Sequence, residues 1–101
     1  MSSKEVIELE ANGVRFYSAS DEAMFFNWLR NLSCVVQIEG RGLGLYISVK
    51  VSMVDEDALR ELLALFRRYS IDMRQLAQFD LAVHAEWFRD PAAYWAKAVF
   101  G

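Results

Sequence analysis

His84 is the only histidine of the chain, with Asp80 and Glu86 close by in sequence. On a helix Asp80 would stand one turn behind the imidazole, and a carboxylate orienting an imidazole is the kernel of general-base catalysis. Nucleophilic catalysis needs a further partner, and no serine or cysteine carries a motif linking it to His84. The reading that weighs more is a surface or half-buried histidine making a local hydrogen bond. The single cysteine, Cys34, opens an apolar run. Reactive thiols sit in electropositive, partly exposed places, and no basic residue lies near it, so a buried structural thiol is expected. One histidine and one cysteine far apart leave only carboxylates to complete a metal site. No metal, cofactor or catalytic residue is therefore assigned.

Gly40, Gly42 and Gly44 look like a phosphate-binding glycine loop only in spacing. Such a loop must join a strand to a helix N-terminus, where amides and dipole hold the phosphate. The flanking residues here read as strand on both sides. Arg67, Arg68 and Arg74 form the one basic concentration. Charge at a helix C-terminus accounts for the first two, while an anion or partner contact is the alternative, because guanidinium pairs in a fork with carboxylate or phosphate. Asp55, Glu56, Asp57 and Glu61 are mostly explained by a helix start and a Glu56–Arg60 pair. Asp57 and Glu61 nevertheless stand one turn apart with like charge, which leaves room for a basic partner. Trp87, Phe88, Tyr94, Trp95 and Phe100 crowd the last part of the chain. Core packing is their default role, but one short helix cannot turn every ring inward, and interfaces concentrate Trp, Tyr and Arg.

The elements that must position these residues begin with Asp55 to Tyr69. Leu59, Leu62, Leu63, Phe66 and Tyr69 make one helical stripe, with acids at its start and arginines at its end. Asn12-Gly13 between two alternating runs predicts a hairpin over Val6 to Tyr17. In that register Ala11 faces Val14, Glu10 faces Arg15 and Leu9 faces Phe16. Ser18 and Ser20 before Asp21-Glu22 predict a helix to about Leu32, with Phe25, Trp28, Leu29 and Leu32 as its stripe, widened by Met24 and Phe26. Cys34 to Glu39 and Leu43 to Val51 read as a second hairpin around Gly40-Arg41-Gly42. Leu43, Leu45, Ile47, Val49 and Val51 are expected inward, and Tyr46, Ser48 and Lys50 outward. Gly44 suggests a bulge or a close backbone approach. Asp72 should cap a short helix over Met73 to Gln78, Gln75 completing a capping box, and Asp90-Pro91 should start a last helix reaching about Val99. Residues 80–89 are ambiguous and are expected to be helical in part. The sum is an α+β two-layer sandwich: an antiparallel four-stranded sheet from two hairpins, helices on one face, order ββαββα plus C-terminal helices.

The composition bounds the function. The chain has 101 residues, enough for one core, and is read as a single domain over 1–101. Apolar residues at 54% argue against disorder. No apolar run approaches the ~20 residues of a membrane span, and MSSKEVIELE has no apolar segment of a signal peptide. One cysteine fits a reducing cytosol, so a cytoplasmic protein is expected. A net charge of −3 opposes generic nucleic-acid binding but leaves room for a basic partner protein, which an acidic surface attracts and orients.

The combination FRRYSIDMRQLAQF, then WF, DP, YW and the final KAVFG, resembles the C-terminal half of small uncharacterised bacterial proteins. The resemblance implies a bacterial origin and a native C-terminus, and it brings no activity. The functional expectation is a non-enzymatic interaction domain that binds another protein or itself as a homodimer. An immunity-type protein that neutralises a toxin is one specific form. Arg67, Arg68, Arg74, His84, Trp87, Phe88, Tyr46 and Tyr17 are the candidate contact residues. The alternative is a small-molecule-binding domain or weak enzyme with a pocket near His84.

Overall fold

Alternation and capping place most of the elements. The computed structural model describes residues 5–101; Met1–Lys4, on which part of the N-terminal reading rests, lie outside the described residues. Strand β1 (Val6–Asn12) is followed by helix α1 (Ala19–Arg30), strands β2 (Val35–Arg41) and β3 (Gly44–Lys50), and helix α2 (Glu56–Arg68). A 3-10 helix over Met73–Phe79 and two short helices, α3 (Ala85–Phe88) and α4 (Ala96–Phe100), complete the chain. The architecture is α+β, with a three-stranded antiparallel sheet in the order β1-β3-β2 among the described residues. Among the described residues no helix is long and apolar enough to cross a membrane.

The four-stranded sheet and the ββαββα order are corrected at the N-terminal hairpin. β1 pairs with β3, so that Leu9 meets Ile47, Glu10 meets Tyr46 and Ala11 meets Leu45. Gly13 does turn the chain, at φ 71°, yet residues 14–17 leave the sheet instead of folding back. The physical reason is Phe16, whose ring packs 5.3 Å from Phe25 and 6.2 Å from Tyr69. Joining an aromatic cluster between α1 and the end of α2 outweighs a fourth strand that would have been an edge.

The second hairpin forms, with its turn one step later than expected. Arg41 pairs with Gly44, leaving Gly42-Leu43 as a two-residue turn. Gly42 takes φ 57°, the positive angle that a type II′ turn requires at its first central position. Leu43 is therefore at the tip and fully exposed, contrary to its place in the inward series. Gly44 is a close approach, since a Cβ there would run into the Asn12 side chain. The bulge falls instead at Val36, between the Val35–Val49 and Gln37–Ser48 pairs. One extra residue there lets Val35 and Ile38 both pack against the core.

Leu9, Ala11, Ile47 and Val49 are buried on the inward face of the sheet and share one core with Phe25, Leu29, Leu59, Leu62, Leu63 and Phe66. Ser18 caps α1 by accepting from the Asp21 amide at 3.1 Å, and Asp55 caps α2 by accepting from Ala58 at 2.8 Å. The Glu56–Arg60 pair is present at 2.8 Å. Met24, expected to widen the α1 stripe, faces solvent. Trp28 reaches across to α2 and donates its indole N–H to Glu61 at 2.8 Å, which gives Glu61 a partner despite the like charge of Asp57.

After α2 the expected capping box does not close. Asp72 caps the 3-10 helix through the Arg74 amide at 3.1 Å, but Gln75 donates to the Asp72 carbonyl at 2.9 Å instead of accepting from the Asp72 amide, and it also reaches the sheet. Its Oε1 accepts from the Glu10 amide at 2.8 Å and its Nε2 donates to the Glu10 carbonyl at 2.7 Å. One side-chain amide thus supplies the strand partner that the outer edge of β1 lacks. The last helix is likewise shorter than expected. Asp90 accepts from the Ala92 amide at 2.9 Å and the chain continues in turns, so α4 begins only at Ala96. These turns carry the Trp95 indole to the Phe88 carbonyl at 2.8 Å, satisfying a buried N–H that a straight helix from Pro91 would have placed elsewhere.

Candidate functional site

His84 is inside the core, 2% exposed, and is not part of a carboxylate dyad. Its Nε2 lies 3.0 Å from the Val54 carbonyl; a carbonyl only accepts, so Nε2 donates there. Among the described residues Nδ1 has no hydrogen-bond partner. Asp80 is engaged elsewhere, in a two-pronged pair with Arg89 at 2.8 Å. The Arg89 bonds hold the Asp80 carboxyl below the usual range. Cys34 is fully buried, and burial pushes its thiol up, the direction of an unreactive sulfur. Among the described residues no three His, Cys, Asp or Glu side chains come together as a metal group.

The aromatic candidates separate. Phe88 is fully buried, and its ring packs on Phe100 at 5.0 Å. Trp87 is half-buried beneath the Arg60 guanidinium, which stands 4.3 Å over the indole. Tyr46 lies on the outward face of the sheet under Arg41, at 4.4 Å. Arg41 also pairs with Glu8 at 2.7 Å and Glu39 at 2.8 Å, so it clamps all three strands across that ring. Tyr17 is different: 87% exposed, with nothing drawn over it.

Tyr17 and the arginines meet around the C-terminus of α2. The helix ends in a Schellman motif: Ile71 donates to the Phe66 carbonyl at 2.9 Å and Ser70 to the Arg67 carbonyl at 3.4 Å. Ser70 takes the left-handed position at φ 56°, where glycine is the usual residue. The sharp exit opens a cleft on each side of Ser70. One, of about 420 Å³, is lined by Gly13, Arg15, Tyr17, Asp21, Arg68, Tyr69 and Ser70. The other, of about 480 Å³, is lined by Phe66, Arg67, Ser70, Ile71, Asp72, Met73, Arg74, Lys97 and Ala98.

The two linings hold five of the chain's 11 bases and two of its 14 acids, a formal +3, which leaves −6 for the rest of a chain of net charge −3. A chain that is acidic as a whole is thus basic at one end. Arg74 makes a loose pair with Asp72 at 3.8 Å. Arg67 stands 6.0 Å over the Tyr94 ring. Among the described residues Arg15, Arg67 and Arg68 take part in no ion pair.

Four of the eight expected contact residues, Tyr17, Arg67, Arg68 and Arg74, are therefore gathered here. His84, Phe88, Trp87 and Tyr46 are not. Arg15 and Lys97 belong to the group and were not singled out in the sequence. Arg15 was accounted for by a hairpin partner, Glu10, that it does not have. Lys97 sits at the other end of the chain from Arg15, and no local pattern joins them.

The fold and this site define an α+β domain with a basic end. No protein-family model matches the chain, and neither the curated proteins nor the solved structures give a significant match.

Proposed function

We propose that this protein is a non-enzymatic interaction domain that acts by binding another protein through the basic end around Ser70. The observation that carries the reading is the concentration of Arg15, Arg67, Arg68, Arg74 and Lys97 on two adjoining clefts of a net-acidic chain. Helix-dipole complementation explains Arg67 and Arg68 individually. It does not explain why Arg15, from the loop after β1, and Lys97, from α4, are brought to the same place. Segregated charge steers and orients an oppositely charged partner, so the partner presents an acidic surface. Toxin neutralisation of the immunity type, in a cytoplasmic setting, is one specific form of this role. The alternative, a small-molecule pocket or weak enzyme centred on His84, has less support because that ring is closed off against Val54.

The test is a triple charge reversal, Arg67→Glu, Arg68→Glu and Arg74→Glu, all at exposed positions. A partner recovered with the wild-type chain from its host should be lost with the variant. Rebuilt from purified components, the complex should weaken with added salt. Equal recovery by the variant at unchanged Tm, or no binding between purified components, refutes the proposal. Self-association as a homodimer is a separate arm: light scattering that gives only the monomer mass at high concentration removes it.

A further inference from the structure

The cleft between the start of α1 and the end of α2 has a feature that general partner binding does not require. It holds two guanidiniums, Arg15 and Arg68, and one carboxylate, Asp21. The carboxylate would be expected to neutralise one of them. Instead its oxygens serve the fold: Oδ2 accepts from the Tyr17 amide at 3.0 Å and Oδ1 from the Tyr69 hydroxyl at 3.2 Å. Among the described residues it forms no ion pair with either arginine. The Phe66 and Arg67 carbonyls at the α2 C-terminus receive the Ile71 and Ser70 amides, and Arg67 and Arg68 offset the negative end of the helix dipole that remains.

We infer that this cleft binds a phosphate monoester, borne on a side chain of the protein partner. The inference rests on the interaction reading above and names the chemistry of its contact. A guanidinium fork matches one carboxylate, whereas two forks in one cleft match a dianion with three terminal oxygens. Ser70, which lines this cleft as well as its neighbour, carries a hydroxyl able to donate. The exposed ring of Tyr17 offers an apolar shelf for the carbon chain or ring that carries the phosphate.

The experiment uses the full chain labelled with nitrogen-15 and titrated with phenyl phosphate, O-phosphoserine, inorganic phosphate and benzoate. The expected result is a shift of the Arg15 and Arg68 side-chain signals and of the Gly13 and Ser70 amides. Either phosphomonoester should bind at least tenfold more tightly than benzoate and more tightly than inorganic phosphate. Arg15→Gln or Arg68→Gln should each weaken phosphomonoester binding about tenfold at unchanged Tm, and Arg60→Gln should leave it unaltered. Ser70→Gly keeps the backbone and removes the hydroxyl, and should weaken binding severalfold. Shifts elsewhere, benzoate binding as tightly, or full binding by both arginine variants overturns the inference. Phosphatase treatment of the partner separates the two levels. A partner that binds equally well after dephosphorylation overturns the phosphate site and leaves the interaction domain standing. Phosphomonoester binding with no protein partner refutes the interaction domain and leaves a site for small phosphate esters.

Discussion

Replacing Ser70 with glycine should stabilise this protein. Ser70 is the one residue other than glycine with positive φ among the described residues, at 56°, and it must hold that angle for the Schellman bonds to form. An L residue in the left-handed region carries a cost of about 1–2 kcal/mol, and glycine carries none. Glycine is also freer in the unfolded chain, which returns about 0.4–1 kcal/mol to the unfolded state. The net gain is about 0.5–1 kcal/mol. For a domain of this size that raises Tm by about 2–8 °C. Ser70→Ala is the control, because alanine lacks the hydroxyl but keeps the strain and should leave Tm close to wild type. Ser70→Val, with a branched Cβ at positive φ, should lower stability by more than ~1 kcal/mol. Scanning calorimetry and urea midpoints read all three. An unchanged or lower Tm for Ser70→Gly, at equal urea m-value, refutes the reasoning and means that a serine-specific contact holds the turn.

Gln75→Ala removes both hydrogen bonds to the Glu10 main chain and the one to the Asp72 carbonyl, and water can replace them at these exposed positions. The expected loss is therefore about 1 kcal/mol, with faster hydrogen exchange at the Glu10 amide; unchanged protection there would show that the glutamine does not guard the edge. Asp80→Asn tests the Arg89 pair through pH. Because Arg89 holds the Asp80 carboxyl below its ordinary value, its contribution is present above the unfolded pKa of about 3.9 and is lost as pH falls through the lower folded value. The stability gap between wild type and Asp80→Asn should therefore shrink from pH 7 towards pH 2 in urea titrations, and a gap constant with pH would refute the assignment.

The legible parts of this fold are those in which a local pattern and its burial agree. The Leu59–Phe66 stripe, its acidic start and basic end, and the Ser18 cap all follow from spacing and hydrogen-bond capacity, and all are present. The alternation from Leu45 to Val49 likewise survives intact. Asn12-Gly13 misleads because a turn signal states where the chain bends, not which strand it meets. β1 found β3, far along the chain, since that pairing buries Leu9 on Ile47 in the sheet centre and frees Phe16 for the aromatic cluster. Gln75 had two uses, the capping box and the edge of β1, and the edge was visible only once β1 was known to be one.

For the candidate site the division is sharper. The sequence by itself determined the type of each charge and the concentration at Arg67, Arg68 and Arg74. Tertiary structure alone decided that Arg15 and Lys97 join them, that Asp21 spends its oxygens on Tyr17 and Tyr69, and that His84 is sealed against Val54. The physical reason is range. Caps, stripes and turns arise from neighbours within a turn or two, whereas an unpaired charge is defined by everything that fails to reach it.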